Sequence, residues 1–157
     1  MSLNFRKALP SDIQLLRGFE SKLVAHERAI EPTLIQEGHL EYYDISQLIE
    51  NTTNSIVIIA EIDGEPVGCG LGQIKENDPC YSEKRYGYIG LMYVDEDQRG
   101  KNVGGSIIQE LVRWFHGQGI HEIHLRVYAN NPGAVKAYEK YGFEHYIHEM
   151  KLKKSEF

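Results

Sequence analysis

The 157-residue chain, with 41% apolar and 25% charged side chains, is sized for one domain, residues 1–157, with a real core. Its net charge of −6 argues against a nucleic-acid partner, which needs a broad basic face, and no apolar run reaches membrane-spanning length. Cys69 and Cys80 lack CxxC spacing and the seven histidines are scattered, so free thiols, no metal site and a cytoplasmic setting without a signal-peptide core are expected.

Leu3 to Ala8 reads as a first strand, and Pro10-Ser11-Asp12 as a turn and helix start. Leu15, Leu16, Phe19, Leu23 and Val24 recur at helical spacing to about Ala29, where Glu31-Pro32-Thr33 breaks the pattern. Leu40, Tyr43, Leu48 and Ile49 suggest a second helix, in one piece or two, ending before Asn51. Ser55 to Ile62 and Val67 to Ile74 are two strands joined by Asp63-Gly64, a strong hairpin signal. Gly68, Gly70 and Gly72 leave one face of the second strand bare. Lys75 to Lys84 is a polar loop, and Arg85 to Val94 another strand.

Ile107, Ile108, Leu111, Val112 and Phe115 form a helix stripe that Gly117 and Gly119 stop. His121 to Tyr128 alternates as a strand. Asn130-Asn131-Pro132-Gly133 opens a short helix ended by Gly142, and Phe143 to Leu152 reads as a last strand. The order β-α-α-β-β-β-α-β-α-β indicates an α/β (α+β) fold: a twisted mixed sheet with helices on both faces.

Between the Arg85–Val94 strand and the helix stripe lies Asp97-Gln98-Arg99-Gly100-Lys101-Asn102-Val103-Gly104-Gly105-Ser106. A strand that ends in a glycine-rich turn and restarts as a helix aims consecutive N–H groups and a positive helix end at one spot, an anion seat suited to phosphate. The charge is uneven in the same sense. Residues 1–98 hold 8 Lys/Arg against 17 Asp/Glu, whereas residues 99–140 hold 6 against 3. An anionic cofactor fits the second half and a cationic partner the first.

Arg99-Gly100-Lys101-Asn102-Val103-Gly104 resembles the R/Q-x-x-G-x-G/A signature of the GNAT superfamily, the acetyl-CoA-dependent N-acyltransferases. Asn131 to Phe143 resembles its N-x-x-A-x-x-x-Y-x-x-x-G-F motif, and Leu91-Met92-Tyr93-Val94 the strand before the first motif. The likeness covers about residues 55–150. Asn102 stands where the family has its first glycine, a residue type that tolerates positive φ. The resemblance implies that acetyl-CoA or coenzyme A binds here. The backbone N–H groups of Gln98 through Gly104, Val103 among them, with Gly105 beside them, would hold the pyrophosphate, with Arg99 and Lys101 neutralising it. Met92 and Val94 would pair their backbone with the pantetheine where two central strands splay, and Asn131 would hold the same arm while capping its helix. A homodimer is compatible with the family.

The resemblance makes Tyr138 the catalytic candidate, a phenol that protonates or hydrogen-bonds the departing thiolate. A base is also required, because an ammonium must lose a proton before attacking a thioester. Family members often use a glutamate on the strand before the turn, but Tyr86 to Met92 contains no carboxylate. Glu27, as base or amine-binding carboxylate, and His124, opposite Ile123 and Leu125, are candidates. Tyr42, Tyr43, Tyr81, Tyr86 and Tyr88 fall in segments that, by resemblance, line the acceptor groove, where tyrosines with acidic neighbours suit a cation. The expected activity is acetyl transfer from acetyl-CoA to a primary amine, with direct attack in a ternary complex. A small cationic amine ranks ahead of a peptide N-terminus or lysine; a non-catalytic acyl-CoA-binding sensor is the alternative of another class.

Overall fold

The structure is a computed structural model and describes residues 2–153. The chain divides into two compact units at the Arg126–Val127 junction.

In the first unit, β1 (Leu3–Lys7), β2 (Ser55–Ile62), β3 (Glu65–Glu76), β4 (Arg85–Val94) and β5 (Ile123–Leu125) form one sheet in the order β1-β2-β3-β4-β5. The first three pairings are antiparallel and β4–β5 is parallel. The Asp63-Gly64 hairpin has φ of 51° and 86°, the left-handed pair that suits the twist of two strands.

The faces of the sheet follow from alternation. Val57, Ile59, Cys69, Leu71, Leu91 and Tyr93 share a buried cluster with Leu16 and Phe19 of α1 (Ile13–Ile30) and Ile45 and Leu48 of α2 (Ile45–Glu50). The opposite face carries the glycines, and α3 (Val103–Gly117) lies on them. A Cβ on Gly70 would come within 2.5 Å of Ile107, and one on Gly87 within 2.7 Å of Phe115. The bare stripe anticipated on β3 is therefore the bed of α3.

The second helix is shorter than its sequence pattern. Only Ile45–Glu50 is helical, capped by Asp44, whose carboxylate accepts from the Gln47 N–H at 3.1 Å. Residues 31–44 instead wrap back on α1, where Arg28 holds the carbonyls of Ile35 and Gly38 at 2.8 Å each. With Pro32 at one end and Gly38 at φ 82°, the segment takes its hydrogen bonds from side chains rather than from helical repetition.

β4 and β5 pair only through Gly87↔Ile123, Tyr88↔His124 and Ile89↔Leu125. Past Ile89, β4 runs on to Val94 with no strand paired to that edge among the described residues. β5 accordingly stops at Leu125, short of the alternation that ran to Tyr128.

The second unit contains α4 (Pro132–Lys140). Asn131 caps it, accepting from the Ala134 N–H at 3.3 Å, and Pro132 occupies the first turn. Gly142, at φ 99°, ends it, and the Phe143 N–H returns to the Tyr138 carbonyl at 3.0 Å. The strand expected over Phe143–Leu152 is not formed: among the described residues, 143–153 carry no strand. A strand exists through its hydrogen bonds to a neighbour, and the described residues of this unit offer α4 but no second strand.

Candidate active site

The turn between β4 and α3 leaves a run of main-chain donors without acceptors at a helix start. A single helical turn, Glu96–Gln98, ends in Gly100 at φ 78° and Asn102 at φ 62°, after which α3 begins. Asn102 thus holds the left-handed conformation. The expected fan of N–H groups loses its first two members, Gln98 and Arg99. Gln98 N–H already bonds the Asp95 carbonyl at 2.9 Å and Arg99 N–H the Glu96 carbonyl at 3.3 Å, because that single turn uses them. The first helical bond of α3 is Ser106 N–H to the Asn102 carbonyl at 3.1 Å. Among the described residues, the six N–H groups of Gly100, Lys101, Asn102, Val103, Gly104 and Gly105 have no protein acceptor, and they stand at the positive end of a 15-residue helix. Arg99 donates through Nε to the Val94 carbonyl at 3.0 Å and lies 5.7 Å from the Tyr93 ring centre. Lys101 reaches Gln98 Oε1 at 3.1 Å. Both cations keep their heads exposed beside the seat.

A bulge at the end of β4 prepares the open edge. Pairing passes from Leu71↔Gly90 to Cys69↔Tyr93, so Leu91 and Met92 together face the single Gly70. Leu91 takes φ 46°, a strained value for a branched side chain. The buried Cys69 thiol donates to the Leu91 carbonyl at 3.4 Å; burial pushes this thiol well above the usual range and keeps it neutral. Asp95 N–H bonds Val67 on the β3 side at 2.8 Å, so by alternation the Val94 and Met92 peptide groups face the unpaired edge. The Val94 carbonyl is taken by Arg99; the peptide groups of both residues otherwise face the open edge.

Next to the bulge the fold gathers side chains from distant segments. Glu27 on α1 is half-buried and accepts from the Tyr42 hydroxyl at 2.9 Å. Burial raises its carboxyl above the ordinary range, partly offset by the Tyr42 bond and by His26. The Tyr43 hydroxyl lies against Gly90, where any Cβ would collide with it, and faces the Tyr88 side chain and the Leu91 peptide. Burial, and then Tyr88, drive this phenol upward, so it stays protonated; Glu27 acts on it in the same direction. Tyr88 carries the Lys75 ammonium 4.2 Å from its ring centre.

Glu27, Tyr42, Tyr43 and Tyr88 are thus brought together. His124 sits beside Tyr88 in register, but its ring stacks on Tyr86 at 4.5 Å and its Nε2 lies 2.9 Å from Glu122. Tyr81 is exposed in the loop of residues 77–84, which begins two residues later than expected because β3 runs to Glu76. In the second unit, Asn131 is a cap and Tyr138 lies edge-on to Phe143 at 6.1 Å.

Arg17 and Glu20 escaped the sequence reading. Glu20 is 1% exposed, and its carboxylate accepts from Arg17 at 2.8 Å and from the N–H groups of Tyr42 at 3.1 Å and Tyr43 at 3.2 Å. The signal was an acid inside the apolar stripe of α1, beside Phe19 and three residues after an arginine.

The model of the acetyltransferase (GNAT) family matches residues 22–143. The chain belongs to that family. An uncharacterized N-acetyltransferase of Methanocaldococcus jannaschii is 28% identical over 89 residues, covering 55% of this chain and 38% of that relative. The matches cover only 24–38% of the length of the first three curated relatives. A predicted acetyltransferase with acetyl-CoA from Clostridium acetobutylicum has TM-score 0.70 at 24% identity, covering 97% of this chain and 96% of that one. Glucosamine-6-phosphate N-acetyltransferase from Arabidopsis thaliana has TM-score 0.71 at 16% identity, covering 99% and 100%. At these identities the structural likeness is one of fold.

Proposed function

We propose that the chain transfers the acetyl group of acetyl-CoA to a primary amine, by direct attack in a ternary complex. The observation that carries this reading is the run of six unengaged N–H groups, 100–105, at the start of α3 and next to the open edge of β4. The run supplies a diphosphate seat, and the edge supplies peptide groups for an amide-bearing arm. The Clostridium acetobutylicum neighbour, an acetyltransferase with acetyl-CoA, supports the same cofactor. Arg99 and Lys101 add positive charge at the seat. Asn131 is assigned to the pantetheine arm and Tyr138 to the departing thiolate, on the motif resemblance.

The acceptor amine is assigned to the pocket of Glu27, Tyr42, Tyr43 and Tyr88. Glu27 takes the ammonium proton, replacing the carboxylate that β4 lacks. Its raised pKa suits a base better than an ordinary surface glutamate would. Four aromatic or acidic side chains favour a small cationic amine over a neutral one. His124 is assigned to the rim. Positioning supplies most of the rate, and a backbone N–H near Val94 polarises the thioester carbonyl.

The test is thiol release from acetyl-CoA across polyamines, amino sugars, aminoglycosides, amino acids and peptides. Turnover with charged small amines, falling for neutral ones, supports the assignment. Turnover with peptides alone moves the substrate to a protein N-terminus or lysine. Saturable coenzyme binding with no product from any amine class leaves the sensor reading instead.

A further inference from the structure

We propose that Glu20, with Arg17, is a positioning residue that fixes the Tyr42–Tyr43 arm over the acceptor amine; this rests on the acceptor pocket assigned above. Residues 31–44 form neither helix nor strand, so the peptide groups at 42 and 43 have no ladder to bond with. One buried carboxylate satisfies both N–H groups, at 3.1 and 3.2 Å. Arg17 completes the clamp. Its Nη1 bridges Glu20 at 2.8 Å and the Tyr43 carbonyl at 2.9 Å, and its Nη2 reaches Glu41 at 3.3 Å. Three consecutive residues of an irregular segment are thereby tied to the middle of α1.

The two phenols that follow from this anchoring point to different parts of the pocket. Tyr42 donates to Glu27 at 2.9 Å. Tyr43 lies against Gly90 and faces Leu91 at the bulge. A single clamp therefore sets the distance between the proposed base and the strand where the thioester would lie. Stability alone does not call for such a group. A buried ion pair is commonly matched or exceeded by apolar side chains of similar volume, and the neighbours here, Leu16, Phe19 and Val24, are apolar. What an apolar residue at 20 would not supply is two acceptors aimed at the Tyr42 and Tyr43 peptides. Geometry matters in such a site because a shift of about an ångström in a reacting group costs on the order of 100-fold in rate.

The experiment compares wild type, Glu20→Gln and Glu41→Ala with the best amine from the screen, and adds Glu27→Gln as a check on the pocket itself. Glutamine at 20 keeps the shape but turns one acceptor into a donor facing other donors. The clamp predicts that Glu20→Gln raises the amine KM about tenfold, leaves coenzyme A binding within about twofold, and accelerates amide exchange at Tyr42 and Tyr43 selectively. Glu41→Ala, at an exposed site, should raise the amine KM about twofold in the same direction. An unchanged amine KM in Glu20→Gln overturns the clamp, and so does a loss shared equally by amine and coenzyme binding. If Glu20→Gln does not fold, Glu41→Ala decides alone, with an unchanged KM counting against the clamp. If Glu27→Gln leaves amine kinetics untouched, it is the pocket assignment that fails.

Discussion

The regions of the first unit assigned above to the cofactor and to the acceptor are built in opposite ways. The seat at residues 100–105 is made of main chain, contiguous in sequence, and shaped by Gly100 and Asn102 in the left-handed region. The proposed acceptor pocket is made of side chains separated by as many as 61 residues, from Glu27 to Tyr88, and includes the part-buried bond from Tyr42 to Glu27. A backbone device tolerates wide sequence change as long as its φ values survive. A side-chain device can be retuned by single substitutions.

The largest break in the comparison comes from the acceptor side. Glu27→Gln should lower kcat/KM for the amine about 100-fold near neutral pH while leaving coenzyme binding intact. The carboxylate accepts a proton only when ionised, and burial raises its pKa, so activity should climb with pH through a limb lying above the ordinary glutamate range. Steady-state pH profiles should lose that limb in Glu27→Gln; a limb that persists points to another base. Tyr138→Phe tests the motif assignment in the same assay, with turnover expected to fall about 30-fold and coenzyme affinity to hold.

Scaffold changes should register as stability. Gly70→Val would drive a side chain into Ile107 and Leu111 and lift α3, costing about 3 kcal/mol in denaturant unfolding. The seat should respond more gently. Asn102→Val places a β-branched residue at φ 62° and should weaken coenzyme A binding about tenfold by titration calorimetry, whereas Asn102→Gly should bind as well as wild type or better.

The smallest expected effect is remote from both sides. Asp12 takes a two-pronged bond from Arg6 at 2.7 and 2.9 Å and accepts from the Leu9 N–H, which together hold its carboxyl below the usual range against the cost of burial. A lowered carboxyl adds stability above its unfolded pKa and loses it as pH falls through the folded value. Arg6→Met should therefore cost about 1 kcal/mol at neutral pH and progressively less in acid, read from unfolding curves at several pH values.

What was legible in the sequence divides along the same line. β2 and β4 end where Ser55–Ile62 and Arg85–Val94 were read, because their apolar density and turn residues are local signals. The left-handed turn at Gly100 and Asn102 was legible because glycine and asparagine are the residues that favour such backbone. The second helix was overread: Leu40 and Tyr43 carry helical spacing, yet their segment is bonded by Arg28, Arg17 and Glu20 from another element. The 143–152 strand was overread because alternation names a face and not a pairing partner. Glu27 and the tyrosines 42, 43 and 88 are each named from the sequence, but not as neighbours, since nothing in a one-dimensional pattern places Tyr42 on the Glu27 carboxylate. Glu20 was passed over because an acid in an apolar stripe reads as noise until its partners are seen.

The most direct measurement is an amide NMR titration of the isotope-labelled protein with coenzyme A. The account predicts that the N–H signals of Gly100, Lys101, Asn102, Val103, Gly104 and Gly105 move together and saturate at one ligand per chain, while those of Gln98 and Arg99, already bonded within their turn, move less. Saturable coenzyme binding that leaves the 100–105 amides in place would contradict it.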